Sequence, residues 1–214
     1  MSEIFSPADH FFLFFVPEFV KNAGNDVYHY KYCTAFTFGP HNSYMMEKEL
    51  SIEFINQSIF RMDENTHRIH LCLEALPEEA IWQRPNASSN SIGNLILHLC
   101  GNIGQYAVSS LSGRADARQR DAEFAATAGP GKLALLERLT ETVEDAKACI
   151  KLLDATELLR MRMVQGFQLS GMGIIIHVTE HYSYHTGQIA FWTKYLQDRD
   201  LGFYAGIDLN VKNS

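Results

Sequence analysis

The sequence predicts an all-α fold, a four-helix bundle, from three observations. Four amphipathic segments, most of them about 20 residues or longer, follow one another along the chain. No series of strand-like segments interrupts them, and residues that begin or end helices bound each one. The length of 214 residues is enough for one hydrophobic core and marginal for two domains. We therefore expect a single helical domain.

The first 44 residues differ from the rest of the chain. Residues 11–20 are apolar and aromatic, but a proline and a glutamate interrupt them, and a transmembrane helix needs roughly 20 apolar residues. Residues 1–10 contain no Lys or Arg, so a signal peptide is not indicated either. Our hypothesis is that residues 1–44 are an N-terminal extension, disordered or translated from a misassigned start. The bundle, residues 46–214, is then expected to begin near Met46.

The first helix is predicted from about Glu47 to Leu76. Pro77 ends it, because its ring cannot continue a helix. Apolar residues recur at three- and four-residue spacings and form one stripe, the core face of the helix. The stripe consists of Ile55, Ile59, Met62, Ile69, Leu73 and Leu76.

The second helix is predicted from about Ser91 to Leu111. Ser89, Asn90 and Ser91 offer capping side chains at its start, and Gly113 ends it. Residues 113–124 are charged and predict a loop. Its three arginines are expected to be solvated, and binding of an anionic substrate is the alternative. They are Arg114, Arg118 and Arg120.

The third and fourth helices follow a breaker at residues 129–131, Gly-Pro-Gly. The third is predicted from about Lys132 to Leu153 and the fourth from about Ser170 to Gln197. Between them, residues 158–169 alternate weakly and predict either an extended connection or a short hairpin.

Charge and cysteine content exclude several classes of protein. The formal net charge is −7 and no cluster of Lys and Arg exists, so we expect no nucleic-acid partner. The four cysteines are far apart, which argues against a disulfide framework and a thiolate zinc site. We expect them to be small buried residues in a reducing cytoplasm, and we expect no membrane partner. They are Cys33, Cys72, Cys100 and Cys149.

Three histidines form a stripe on the fourth helix. His177, His181 and His185 are spaced four apart, and each such step turns an α-helix by about 40° and climbs about 6 Å. Apolar residues continue the stripe at both ends, which places the imidazoles on the core face. An unpaired buried polar group costs about 1–3 kcal/mol, so several stacked imidazoles need partners. A divalent cation would supply one.

The second helix offers a further imidazole. His98 lies among apolar residues, with Asn94 and Asn102 one turn before and after it. We predict a metal site whose ligands are His98, His181 and His185. Four further residues are candidates for the surrounding pocket, with hydrogen-bonded core histidines or helix packing at Gly187 as the plain alternatives. These pocket candidates are Asn94, Asn102, His177 and Gln188.

A rival metal register exists on the same helix. His177, Glu180 and His181 match the HxxEH pattern of inverted zinc peptidases, in which the glutamate is a general base. Those enzymes need a further carboxylate ligand, typically Glu, and no Glu follows Glu180. The neighbouring Tyr182 and Tyr184 are expected to be packing residues rather than acids.

Three segments resemble the DinB-like (DinB/YfiT) superfamily, whose members are expected to be metal-dependent enzymes. They are SIGNLILHLCGN (91–102), RDAEF (120–124) and EHYSYHTGQI (180–189). The nearest likeness is to small bacterial proteins with an HxGQI signature and a terminal DLGFY, here residues 200–204. The resemblance covers about residues 46–206. It implies a four-helix bundle with a longer crossover, often dimeric, and a metal triad that carries over to His98, His181 and His185.

Three protein ligands would leave an open coordination position. The resemblance therefore implies a metal-dependent enzyme, with zinc or nickel, that acts on a small molecule by thiol S-transfer or hydrolysis. A low-molecular-weight thiol is then a possible co-substrate, and a homodimer is expected. Two alternatives stay open: a non-catalytic metal-binding or stress-related bundle, and a purely structural bundle with hydrogen-bonded histidines.

Overall fold

The computed structural model describes residues 15–22, 25–32 and 40–213. The chain divides into two compact units, residues 1–50 and 51–214. In the first unit, β1 (Phe15–Asn22) and β2 (Asn25–Tyr32) form an antiparallel hairpin. The sequence pattern did not indicate this hairpin. That residues 1–44 are an extension outside the helical domain stays a prediction.

The second unit is predominantly helical. Its first helix, α1 (Pro40–Ala75), starts before residue 50, and a 3₁₀ turn (Glu78–Ala80) follows it. The remaining elements are α2 (Ile92–Ile103), a π-helical turn (Gly104–Ser109), α3 (Ser110–Ser112), α4 (Arg120–Ala125), α5 (Lys132–Lys151), α6 (Ala155–Leu159), β3 (Met161–Val164), β4 (Phe167–Ser170) and α7 (Gly171–Gln197).

The long helices pack around one core, and the predicted all-α bundle is confirmed as the fold class. Helix α2 lies between α5 and α7. Hydrogen bonds tie α1 to both of these helices, from Lys147 Nζ to Asp63 and between Thr66 Oγ1 and the Tyr182 hydroxyl. The largest buried side chains include Met62, Ile69, Leu73, Ile96, Leu99 and Leu139.

Helix α1 buries the predicted stripe but begins earlier than expected. All six stripe residues, from Ile55 to Leu76, are buried. The helix starts at Pro40 rather than near Glu47. Proline suits the first turn of a helix, where its missing N–H would have no partner. Residues 44–50 are exposed, so apolar periodicity could not reveal this part of the helix.

Helix α2 begins as its sequence predicts and ends differently. Ser91 and Asn94 form a reciprocal capping box at its start. After Ile103 the backbone passes through the π-helical turn before Gly113, at φ 77°, ends the helical run. The prediction of one regular helix from Ser91 to Leu111 is therefore corrected, because a π turn leaves no signature in apolar spacing.

The structure shows the conformation of two segments between the long helices that the sequence left open or did not predict. The charged residues 113–124 are not wholly a loop, because α4 occupies Arg120–Ala125. A six-residue helix is too short for a periodic pattern to detect. Of the two alternatives predicted for residues 158–169, the structure shows the short hairpin. Gln165 (φ 51°) and Gly166 (φ 82°) lie in its turn.

Helices able to cross a lipid bilayer are absent from the part of the chain that the structure describes, because none is both long and apolar enough.

Candidate metal centre

Three histidines from two helices meet inside the bundle. His98 comes from α2, and His181 and His185 lie one turn apart on α7. One ring nitrogen of each lies within 4.8 Å of the others, and His98 Nε2 is 2.9 Å from His181 Nε2. His98 and His185 are buried and His181 is half-buried. These three side chains could hold a metal ion.

Burial keeps the imidazoles on α7 neutral. It lowers the pKa of His181 from 6.5 to about 3, with further lowering from the charges of His185 and His98. The pKa of His185 is also lowered, mainly by burial. A neutral imidazole has one nitrogen with a free lone pair, which is the form that binds a metal.

Gln188 fixes the orientation of His185. The His185 Nδ1–H donates to Gln188 Oε1 at 2.7 Å, which leaves His185 Nε2 as the free acceptor. The alternative explanation, close helix packing beside Gln188, is wrong. Gln188 is exposed, and a Cβ added at Gly187 would meet no atom of the described residues within 4 Å.

A buried ion pair between Glu123 and Arg118 lies against Nδ1 of His98. Glu123 Oε2 lies 3.0 Å from His98 Nδ1, and Arg118 contacts both carboxylate oxygens of Glu123 at 2.9 Å. Burial raises the pKa of Glu123, but hydrogen bonds from His98 and Arg118 and the Arg118 charge outweigh it and hold this pKa below its ordinary value. The carboxylate is therefore ionised.

This ion pair corrects the expectation for the charged segment. The Arg118 side chain is only 4% exposed, so it is not solvated. Arg114 does lie at the surface, paired with Asp145, and Arg120 lies over the Phe124 ring. Sequence reasoning did not single out Glu123, although the RDAEF segment that carried the family resemblance contains it.

A side chain of the π-helical turn, Gln105, holds Arg118 in place. Gln105, from this turn, accepts a hydrogen bond from Arg118 Nη1 at 3.0 Å and donates one to Asp116 at 2.6 Å. Because the wider turn changes the direction of side chains relative to α2, Gln105 reaches the loop that carries Arg118. Sequence reasoning missed this residue too.

Asn94 has a role other than the predicted one. Its side chain is fully buried, completes the capping box with Ser91, and donates to the backbone oxygens of Glu123 at 2.9 Å and Ala126 at 2.7 Å. All its hydrogen-bonding groups are engaged in this way. Asn94 is therefore not a pocket residue, and it instead anchors α4, and with it Glu123, to the start of α2.

His177 and Asn102 form a polar pair beside the triad. Asn102 Nδ2 donates to His177 Nε2 at 3.4 Å, and the Tyr106 ring stacks on His177 with centroids 4.2 Å apart. Burial lowers the pKa of His177. Asn102 Oδ1 is buried and has no hydrogen-bond partner among the residues that the structure describes. The His177 ring stacks on that of His181, but His177 does not join the metal-competent cluster found among the described residues.

The structure does not favour the HxxEH register. Its glutamate, Glu180, is exposed and lines a groove between α1 and α7. The general base that this register requires therefore does not face the imidazole cluster.

The remaining predictions concern packing. Tyr182 is fully buried and its hydroxyl bonds to Thr66, so it is a packing residue as expected. Tyr184 is 61% exposed and touches His185 only through a ring edge, so that expectation is wrong. The three described cysteines are free and buried, as expected, and Cys33 lies outside the described residues.

An aromatic groove lies next to Gln188 and Tyr184. It has a volume of about 760 Å³, within the range of small-molecule sites. Its walls are the exposed side of α7 and the loop before α2. Besides Gln188 and Tyr184, the side chains that line it include Leu95, Phe191, Trp192 and Tyr195.

The fold is similar to that of DinB-like proteins of known structure. A DinB-like protein from Bacillus subtilis is similar in structure, with a TM-score of 0.54, 18% identity, and coverage of 69% of this chain and 96% of that one. A DinB-like protein from Bacillus cereus gives a TM-score of 0.53 at 11% identity, covering 67% of this chain and 90% of its own. A conserved protein from Enterococcus faecalis gives 0.58 at 13% identity, with coverage of 67% and 97%.

Sequence comparison then places the chain in a family. Residues 49–205 match the family described as "Protein of unknown function (DUF1572)", and the chain belongs to it. No curated protein matches the chain. The predicted resemblance to DinB-like proteins is thereby confirmed, while the subgroup with the HxGQI signature stays a prediction.

Proposed function

We propose that this protein is a divalent-metal-dependent enzyme that acts on a small molecule, with His98, His181 and His185 as the metal ligands. The observation that carries the proposal is the convergence of these imidazoles from two helices within 4.8 Å. Two of the rings have a partner at Nδ1, Glu123 for His98 and Gln188 for His185. Their Nε2 atoms are then available for an ion, as is usual for metal-binding histidines.

The donor set suits zinc or nickel, because neutral imidazole is a preferred ligand of both. When bound by three protein ligands, such an ion keeps an open position where it can lower the pKa of water to roughly 7 or bind a thiolate. The protein residues hold the imidazoles in place and limit access of water. The aromatic groove beside Gln188 supports a small-molecule substrate.

We further propose that the reaction is thiol S-transfer, with a low-molecular-weight thiol as co-substrate, or hydrolysis. The support is the DinB-like fold together with the open coordination position. Glu123 does not serve as a general base in this proposal, since it is paired with Arg118.

Metal analysis tests the proposal. Purified protein, dialysed against zinc or nickel, is expected to retain a single ion per chain by elemental analysis. His98→Ala, His181→Ala and His185→Ala are each expected to lose it. His70→Ala is the matched control, because His70 bonds to Thr140 outside the cluster. Triad variants that keep full metal content would refute the proposal.

A non-catalytic metal-binding or stress-related protein is the second candidate. The observation that favours it is the lack of a free carboxylate beside the triad among the described residues, because the ionised Glu123 carboxylate is paired with Arg118. A panel of thiol-transfer and hydrolase substrates separates the two candidates. Turnover that depends on His98 supports the enzyme, and full metal content without turnover supports the binding protein.

We also propose a homodimer. Three exposed aromatic residues follow one side of α7, Tyr184, Phe191 and Tyr195, and each is at least 61% exposed. They also line the aromatic groove, so a second copy of the chain docked on this side would cover the groove. Exposed apolar patches of this kind commonly form subunit interfaces. Light scattering measures the mass directly, and a monomer at high concentration would contradict the proposal.

A further inference from the structure

We propose that Glu123 is a positioning residue that holds His98 in the tautomer presenting Nε2 to a metal ion, and that Arg118 and Gly101 keep the Glu123 carboxylate in place. For its metal-binding part, this inference rests on the proposed function. The tautomer part concerns this chain alone.

The hydrogen bonds around Glu123 favour one arrangement. An ionised carboxylate only accepts hydrogen bonds, so the 3.0 Å contact with His98 Nδ1 is a hydrogen bond when that nitrogen carries the proton. The Arg118 Nη2 atom is also a donor, and it lies 2.9 Å from the same oxygen, Glu123 Oε2. In this tautomer, Arg118 Nη2 and His98 Nδ1 approach each other to 3.1 Å because both donate to Glu123 Oε2.

Space for the carboxylate depends on Gly101. This residue lies one turn after His98 on α2, and a Cβ added there would lie 1.9 Å from Glu123 Oε1 and 2.9 Å from Arg118 Nε. The ion pair therefore rests directly on the backbone of α2. Any larger residue at position 101 must shift the carboxylate from its place beside His98 Nδ1.

Further hydrogen bonds hold both Arg118 and Glu123 in place. Arg118 also donates to Gln105, which in turn donates to Asp116. The backbone of Glu123 is bonded to Asn94. The side chains of Arg118 and Glu123 are 4% and 10% exposed, so water does not compete strongly for these bonds. A rigid arrangement of this kind orients the imidazole of His98.

Gly101→Ala tests the inference with a matched control. Alanine favours the helix by itself, so the variant changes only the space that the carboxylate occupies. Gly104→Ala makes the same exchange three residues later, where a Cβ would meet nothing within 4 Å in the described part of the chain. Long-range ¹H–¹⁵N NMR spectra of the metal-free protein report which nitrogen of His98 carries the proton, with His98→Ala providing the assignment.

We expect the His98 proton on Nδ1 in the wild type and in Gly104→Ala, and a mixture of tautomers in Gly101→Ala. Zinc affinity, measured by competition with a chromophoric chelator, is expected to fall about 10- to 100-fold in Gly101→Ala, as for other lost partners of metal-binding histidines. Gly104→Ala is expected to keep the wild-type affinity.

A second variant covers the case in which Gly101→Ala does not fold. The double variant Arg118→Met/Glu123→Leu replaces both charges together, an exchange that proteins often tolerate without loss of stability. It is expected to show the same mixed tautomer and weakened zinc binding.

Two results would overturn the inference: a His98 proton on Nε2 in the wild type, or wild-type tautomer and zinc affinity in the double variant. A wild-type protein that binds no zinc would instead refute the proposed function. The tautomer spectra of the metal-free protein would still decide the role of Glu123.

Discussion

The metal-free protein is expected to lose stability as the pH falls below about 6.5, because its buried imidazoles resist protonation. Burial, followed by the charges of His185 and His98, lowers the pKa of His181 to about 3 in the folded state. In the unfolded chain the same imidazole titrates near its ordinary value of 6.5. The unfolded state therefore binds more protons in this range. The contribution of His181 is complete above pH 6.5 and is lost progressively as the pH falls towards 3.

The size of the effect follows from the two pKa values. Between pH 6.5 and about 5, a group with these values changes the free energy of unfolding by about 2 kcal/mol. His181 is half-buried, so solvent screening reduces this to about 1 kcal/mol. The pKa values of His177 and His185 are also lowered by burial, and their contributions have the same sign.

Urea unfolding followed by circular dichroism, at a series of pH values and with a chelator present, measures this dependence. His181→Leu removes the imidazole and is expected to unfold with a shallower pH dependence than the wild type. His67→Leu, which removes an exposed imidazole from α1, is the matched control. A His181→Leu protein with the full wild-type dependence would refute the reasoning.

Three further predictions concern packing and reactivity. Tyr182→Phe removes the hydroxyl bonded to Thr66 at 2.8 Å and is expected to lower the free energy of unfolding by about 1 kcal/mol in urea titrations, while an unchanged value would contradict this. Arg114→Ala breaks an exposed pair with Asp145 and is expected to leave the urea midpoint nearly unchanged in the same titrations; a clear fall of the midpoint would contradict the surface location. Burial raises the pKa of the Cys100 thiol to about 11, so this thiol is expected to react with a thiol reagent only after unfolding, and rapid labelling of the native protein would contradict it.

Local sequence patterns predicted those elements that depend on local spacing. The stripe from Ile55 to Leu76 and the His181–His185 step on α7 are visible because side chains four apart share one face of a helix. The helix α4, Arg120–Ala125, was missed because its six residues show no period. The π-helical turn after Ile103 was missed because its altered hydrogen bonding leaves the apolar pattern unchanged.

The residues of the candidate site also divide into those that the sequence predicted and those that it did not. Its three imidazoles could be named from helical spacing and family resemblance. The partners of His98 could not, because Arg118 and Glu123 belong to a segment whose composition indicates a solvated loop. Their burial depends on the backbone of α2 leaving room at Gly101, and only the packed structure shows this.

The sequence by itself determined the helical class, the core face of each long helix, and the presence of imidazoles on two core faces. The tertiary structure alone decided which charged residues are buried beside those imidazoles and which side chains contact Nδ1 of His98 and of His185. The physical reason is the sequence distance over which each effect acts. Helical periodicity acts over a few neighbouring residues, whereas the contact of Glu123 with His98 joins residues that only the packing of α4 against α2 brings within hydrogen-bonding distance.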